Sequence, residues 1–137
     1  GVQTCALPIL QWEHGPGAGF TGADVTPWLR FGDLACNVTD QRSDPASFLH
    51  LTRDLIALRT ATPDLRNGIW RALDAPDDVL AYSRGEAHVV VLNLGPDAVT
   101  VSTGPGTVLL ATDRSRDGEA VTAELGLAPR TGAVLRR

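Results

Sequence analysis

The chain has 137 residues, 43% hydrophobic and 20% charged, with a net charge of −4, enough for one ordinary globular domain. Basic residues are dispersed, which excludes a nucleic-acid surface from the expected functions, and no apolar run approaches the roughly 18 residues of a membrane helix. Cys5 and Cys36 make neither a disulfide framework nor a metal pattern, and the expectation is a cytoplasmic protein with reduced thiols.

Gly1–Ile9, GVQTCALPI, lacks the basic start and long apolar centre of a signal peptide. It resembles the in-frame translation of a sequencing-library adapter, and residues 1–9 are expected to be non-native and set apart from the fold. Leu10–Asp40 reads as loop: Gly15, Pro16, Gly17, Gly19, Gly22 and Pro27 interrupt every period. The same stretch carries Trp12, Phe20, Trp28 and Phe31. Aromatic residues disfavour disorder, so an ordered, glycine-hinged loop anchored by aromatics is expected. The sequon Asn37-Val38-Thr39 is read as coincidence, since nothing else in the chain speaks of secretion.

Asp44–Arg59, DPASFLHLTRDLIALR, carries the strongest periodicity. Phe48, Leu51, Leu55 and Leu58 fall on one helical face, which Leu49 and Ile56 widen. Asp44 is the expected N-cap with Pro45 at the first helical position. The helix should stop near Thr62, because a residue before proline is driven out of the α region. Burial of about five large apolar side chains contributes on the order of 8–15 kcal/mol before entropy is counted. That gain needs a partner surface, either the β-rich segment downstream or a larger body outside these residues.

Pro63–Gly68 reads as a connector. Beyond it the texture is β: Ile69–Leu73, Val79–Ser83, His88–Leu94, Ala98–Ser102, Thr107–Ala111 and Ala133–Arg136 are short and β-branched or alternating. Arg84-Gly85-Glu86, Gly95-Pro96-Asp97, Gly104-Pro105-Gly106 and Asp117-Gly118 punctuate them. The near-continuous run His88–Leu94 predicts a central strand covered on both faces, with His88 at its outward-facing start. Turn spacing of about 8–12 residues predicts an antiparallel sandwich.

Candidate chemistry is sparse. Glu13, Asp24, Asp33 and Asp40 share the aromatic loop and Asp77 and Asp78 adjoin Pro76, but no spacing sets two carboxyls across a substrate. His14 has no Cys or His partner at ligand spacing, and His50 lies beside the helix stripe in a packing or surface role. No Ser-His-Asp set or phosphate-cradling glycine loop can be assembled, so neither metal nor cofactor is expected. Trp70 and Tyr82 read as core or domain-interface residues.

Leu10-Gln11-Trp12-Glu13, Gly17-Ala18-Gly19-Phe20-Thr21-Gly22, Pro27-Trp28-Leu29, Asn37-Val38 and Asp44-Pro45 with Leu55-Ile56-Ala57-Leu58-Arg59 form an ordered series. The series resembles the C-terminal part of the α-amylase superfamily (glycoside hydrolase family 13), specifically α-glucosidases and oligo-1,6-glucosidases. There a segment reading Arg-Thr-Pro-Met-Gln-Trp-Asp occupies the loop after barrel strand 8, and a Gly-Phe turn, a Pro-Trp-Leu, barrel helix 8 and a β-sandwich follow. In this chain the Arg-Thr-Pro is replaced, Leu10 stands for methionine and Glu13 for aspartate. The resemblance covers Leu10 to about Leu94 in motif and the rest in texture.

What the resemblance implies is an α+β fragment. Residues 10–62 would be the last loop and helix of a (β/α)8 barrel, and residues 63–137 a C-terminal antiparallel β-sandwich. It implies a parent enzyme that cleaves short α-glucosidic oligosaccharides with retention, using two carboxyls about 5–5.5 Å apart that lie upstream of this chain, so no catalytic residue is expected here and the fragment alone should be inactive. Loops after barrel strands rim the active site, which makes Gln11, Trp12 and Phe20 the candidate substrate-binding residues. Against that stands the plainer role of Trp12 and Phe20 as loop anchors. The expected partners are the oligosaccharide and the missing barrel, with no nucleic acid and no membrane. Two alternatives stay open: a trehalose synthase or sucrose isomerase of the same superfamily, and a non-catalytic carbohydrate-binding or interaction module.

Overall fold

A computed structural model describes residues 11–137, in two compact units, one ending at Thr52 and the other running from Arg53 to Arg137. The segment Gly1–Ile9 and Leu10 lie outside the described residues.

The first unit is a long loop and the helices that follow it. Gln11 and Asn37 form a parallel bridge, which closes residues 11–37 into one loop. Asn37 then caps helix α1, Val38–Ser43, from an extended backbone, its side chain accepting from Asp40 N. The chain turns over Asp44–Ser47, where Ser47 N donates to Asp44 O at 3.0 Å and Pro45 takes the second turn position that suits its fixed φ. Helix α2 therefore starts at Phe48 and ends at Ala61, several residues later than the Asp44 cap predicts. Asp44 Oδ1 is spent on Ala46 N at 2.9 Å. The cap is Ser47, whose Oγ accepts from His50 N at 3.3 Å, and Gln41 Oε1 takes Leu49 N at 2.9 Å.

α2 ends where Pro63 demands: Thr62 is extended, at φ −107° and ψ 106°. The connector is itself helical, because Pro63 opens the short helix α3, Pro63–Asn67, at a position that needs no N–H. The apolar stripe on α2 is only partly covered. Leu51 is buried, while Phe48 (74% exposed), Leu55 and Ile56 face outward. Within the second unit the β-rich segment leaves Leu55 and Ile56 exposed.

The second unit is a sandwich. Strands β1 (Trp70–Ala72), β2 (Val79–Arg84), β3 (His88–Asn93), β5 (Gly106–Ala111), β6 (Ala120–Val121) and β8 (Gly132–Arg136) form one antiparallel sheet ordered β1-β2-β3-β8-β5-β6. Strands β4 (Val99–Ser102) and β7 (Glu124–Leu127) pair as a second sheet. Register aligns Ala81 with Val91 and Ala133, and Val89 with Leu135 and Val108. Those side chains share one face, and Val101, Leu125 and Leu127 of the small sheet join them in a single core. A bulge in β5 between Val108 and Leu110 flips the alternation, so Ala111 rather than Leu110 joins that core.

β3 lies inside the sheet and is buried along nearly its whole length, as its unbroken apolar run requires. His88 departs from expectation. It is buried, with Nδ1 3.4 Å from Asp64 Oδ2, because α3 lays Asp64 against the start of β3. Gly85, in the β2–β3 turn at φ +60°, has Asp64's carboxylate where a Cβ would stand. Trp70 and Tyr82 are not core residues: they lie on the sheet face away from the core, rings 6.0 Å apart and tilted by 33°, with Trp70 exposed. Arg114 Nη2 meets Asp54 Oδ2 at 2.8 Å, which ties the middle of α2 to the short 3-10 turn Arg114–Arg116.

Candidate functional site

The loop of the first unit is built around two consecutive residues, Gln11 and Trp12. The opening turn of α1 presents N–H groups that have no partner within the helix. Val38 N donates to Gln11 O at 2.8 Å and Thr39 N to Trp12 O at 3.0 Å, before Gln41 N makes the first regular helical bond, to Asn37 O at 3.1 Å. Asp40 N goes to the Asn37 cap at 2.9 Å. Thr39 Oγ1 adds a second bond to Trp12 O at 2.8 Å. On its other side Trp12 N donates to Ala18 O at 3.1 Å. The backbone of Trp12 is thus held from both flanks.

Glycine lets the loop close on it. At Gly19, where φ is +76°, a Cβ would stand 2.6 Å from Trp12 Cβ, so any side chain there would push Trp12 away. The Trp12 ring meets Phe20 at 6.4 Å and 59°, and Phe20 stacks on Phe31 at 6.2 Å and 18°, within the range of favourable aromatic pairs. Trp12 remains 52% exposed and Phe20 46%. Each ring leaves part of its apolar face free. Gln11 is different: it is 1% exposed and its Nε2 has no hydrogen-bond partner among the described residues. The structure thus separates the three candidates, with Trp12 and Phe20 on the surface and Gln11 beneath it. Trp28, in the same loop, is 92% exposed.

Three acids of this unit serve local turns and caps. Asp33 Oδ1 accepts from Ala35 N at 2.9 Å, Asp44 Oδ1 from Ala46 N, and Asp40 Oδ2 from Asn37 Nδ2 at 2.6 Å. Each is a local turn or cap interaction. The histidines do likewise: His14 Nδ1 is 3.2 Å from Leu34 O, and His50 Nε2 is 3.1 Å from Arg42 O. Among the described residues no group of three His, Cys, Asp or Glu side chains is placed to hold a metal ion. Asn37 and Thr39 escape the sequence reading as supports of the site; the signals were the sequon they belong to and, for Asn37, its place in the ordered series of motifs. Asn37 is fully buried and its amide nitrogen donates to Leu34 O and Asp40 Oδ2, so it has no room for a glycan.

The displaced ionisations lie in the second unit, in the turn after β5. A hydrogen bond from Arg116 lowers the pKa of Glu119, and side-chain and backbone bonds from Ser115 lower that of Asp113. Arg114, bonded to Asp54, and Arg116, bonded to Glu119, are raised. These are exposed or half-buried pairs that pin a turn.

Two curated relatives are similar to this chain in sequence. A probable α-glucosidase of Rhizobium meliloti (strain 1021) is 32% identical over 105 residues, 73% of this chain and 18% of that protein. The probable oligo-1,6-glucosidase 3 of Bacillus subtilis (strain 168) is 31% identical over 88 residues, 61% of this chain and 15% of that protein. The chain therefore spans less than a fifth of the length of either. Among solved structures, trehalulose synthase MutB of Pseudomonas mesoacidophila MX-45 superposes with a TM-score of 0.78 at 29% identity, over 92% of this chain and 24% of that one. Its C-terminal β-sandwich region matches the sandwich described above. No family model matches the chain.

Proposed function

From the chain's membership of the α-amylase superfamily we propose that residues 11–137 are the C-terminal portion of a retaining α-glucosidase acting on short α-glucosidic oligosaccharides. The observation that carries this reading is the 32% identity to a probable α-glucosidase across 105 residues, 73% of this chain. Retention needs a nucleophile and an acid/base about 5–5.5 Å apart, and Asp33, Asp40 and Asp44 are committed to caps and turns. The reacting carboxylates then belong to the part of the enzyme outside these residues. The role of this portion is binding: Trp12, with Phe20 behind it, presents an apolar face to a glucose ring at the rim of the site. Gln11, buried below, supports that face rather than touching sugar. The residues by themselves hydrolyse nothing.

The test is recovery of the flanking gene sequence, followed by assay of the full-length enzyme. Release of glucose from maltose or isomaltose, with the α-anomer formed first by proton NMR, is the expected result. Absence of upstream Asp and Glu residues at the barrel strand ends would overturn the reading and leave a non-catalytic module. The likeness to trehalulose synthase supports a second reading, a sucrose-isomerising enzyme of the same superfamily. Conversion of sucrose into an isomeric disaccharide, in place of glucose and fructose, would establish it.

A further inference from the structure

Trp12 has an unusually complete backbone harness for a half-exposed loop residue. Its carbonyl takes two bonds from one residue, Thr39 N at 3.0 Å and Thr39 Oγ1 at 2.8 Å. Its N–H is fixed by Ala18 O, and Gly19 admits the backbone so closely that a Cβ would stand 2.6 Å from Trp12 Cβ. The two supports differ in kind. Asn37 is buried and holds the whole loop closed, whereas Thr39 is exposed, and its hydroxyl does nothing else in the structure than bond Trp12. A loop that needed only to stay folded could leave that carbonyl to water, which hydrogen-bonds exposed backbone at little cost.

We propose that Thr39 is a positioning residue, whose amide and hydroxyl close on the Trp12 carbonyl and fix the tilt of the indole toward the sugar. This rests on the reading above that Trp12 faces the substrate. A surface that binds ground state and transition state alike affects KM and leaves kcat in place. Thr39 therefore acts on affinity for the glucose ring and not on turnover.

Full-length enzyme carrying Thr39→Val, which keeps the shape and removes the hydroxyl, is assayed with maltose beside Thr39→Ser, Trp12→Ala and wild type. Thr39→Val is expected to raise KM about threefold to tenfold, the range a single hydrogen bond supports, with kcat within about twofold and thermal midpoint little changed. Thr39→Ser restores wild-type KM, and Trp12→Ala raises KM further. Where valine is not accommodated, Thr39→Ala provides the same reading. An unchanged KM for Thr39→Val beside a raised KM for Trp12→Ala overturns the proposal and spares the sugar-facing reading. Loss of kcat and thermal midpoint at constant KM also overturns it, since that is what a purely structural residue would give. An unchanged KM for Trp12→Ala removes the sugar-facing reading itself, and the role of Thr39 with it.

Discussion

The side chain of Asn37 accepts from Asp40 N at 2.9 Å and donates to Leu34 O at 2.9 Å and to Asp40 Oδ2 at 2.6 Å, while its backbone bridges Gln11. One buried amide thus caps a helix, ties down the end of the loop and joins it to the loop's beginning. Asn37→Ala is expected to destabilise the loop by about 1–3 kcal/mol, through loss of the cap and of partners for Leu34 O. Asn37→Ser keeps a capping oxygen but not the amide donors, so it should recover about 1 kcal/mol of that loss. Urea unfolding followed by tryptophan fluorescence ranks the three; a serine variant equal to wild type would show that the bonds to Leu34 and Asp40 contribute nothing. Little of this was legible beforehand. The sequence marks Asn37 as a possible cap only once the helix after it is known, and α1, six residues of mixed polarity, has no periodicity to announce it.

At the scale of elements, legibility follows the strength of the local signal. The α2 periodicity and the β-branched runs of β2, β3, β5 and β8 are strong, and those elements stand where the sequence puts them. β7 was missed: Glu-Leu-Gly-Leu alternates correctly between surface and core, but a glycine and only four residues give too little pattern to outweigh loop. The start of α2 was misplaced because Asp44-Pro45 fits a cap and a turn equally well, and tertiary bonds from Gln41 and Ser47 decide between them. The turn after β5 is read by its charges. Glu119 and Asp113 have folded pKa values below their ordinary 4.5 and 3.8, so the folded state holds fewer protons than the unfolded one. Their stabilisation is complete above the ordinary values and is lost as pH falls through the depressed ones. The urea midpoint should be level from about pH 7 to 5 and decline below about pH 4. Arg116→Gln should make that decline shallower, because Glu119 then titrates alike in both states. An acid limb identical to wild type would show that the Arg116–Glu119 pair, 2.7 Å apart, adds no more than an exposed surface pair often does.

The whole molecule divides its apolar burial unevenly. The second unit has a continuous two-sheet core from Ala81 to Leu135, while the buried apolar residues of the first, among those described, are Ala18, Val38 and Leu51. Its larger apolar groups, Trp12, Phe20, Trp28 and Phe48, stand in solvent. Backbone hydrogen bonds and caps define the loop's shape, but each net bond is worth only about 0.5–1.5 kcal/mol. Burial of one large side chain contributes about 1.5–3 kcal/mol. The 137-residue chain should therefore open in two steps. In native-state hydrogen exchange, β3 and β8 amides should open only with global unfolding, and those of Trp12, Ala18, Val38 and Thr39 much more readily. Added apolar cover, as a larger enzyme body would supply, should slow the second group and leave the first unchanged. Equal protection of both groups in the 137-residue chain would mean that the harness around Trp12 is stable without any further surface, and the case for such a body would then rest on sequence likeness alone.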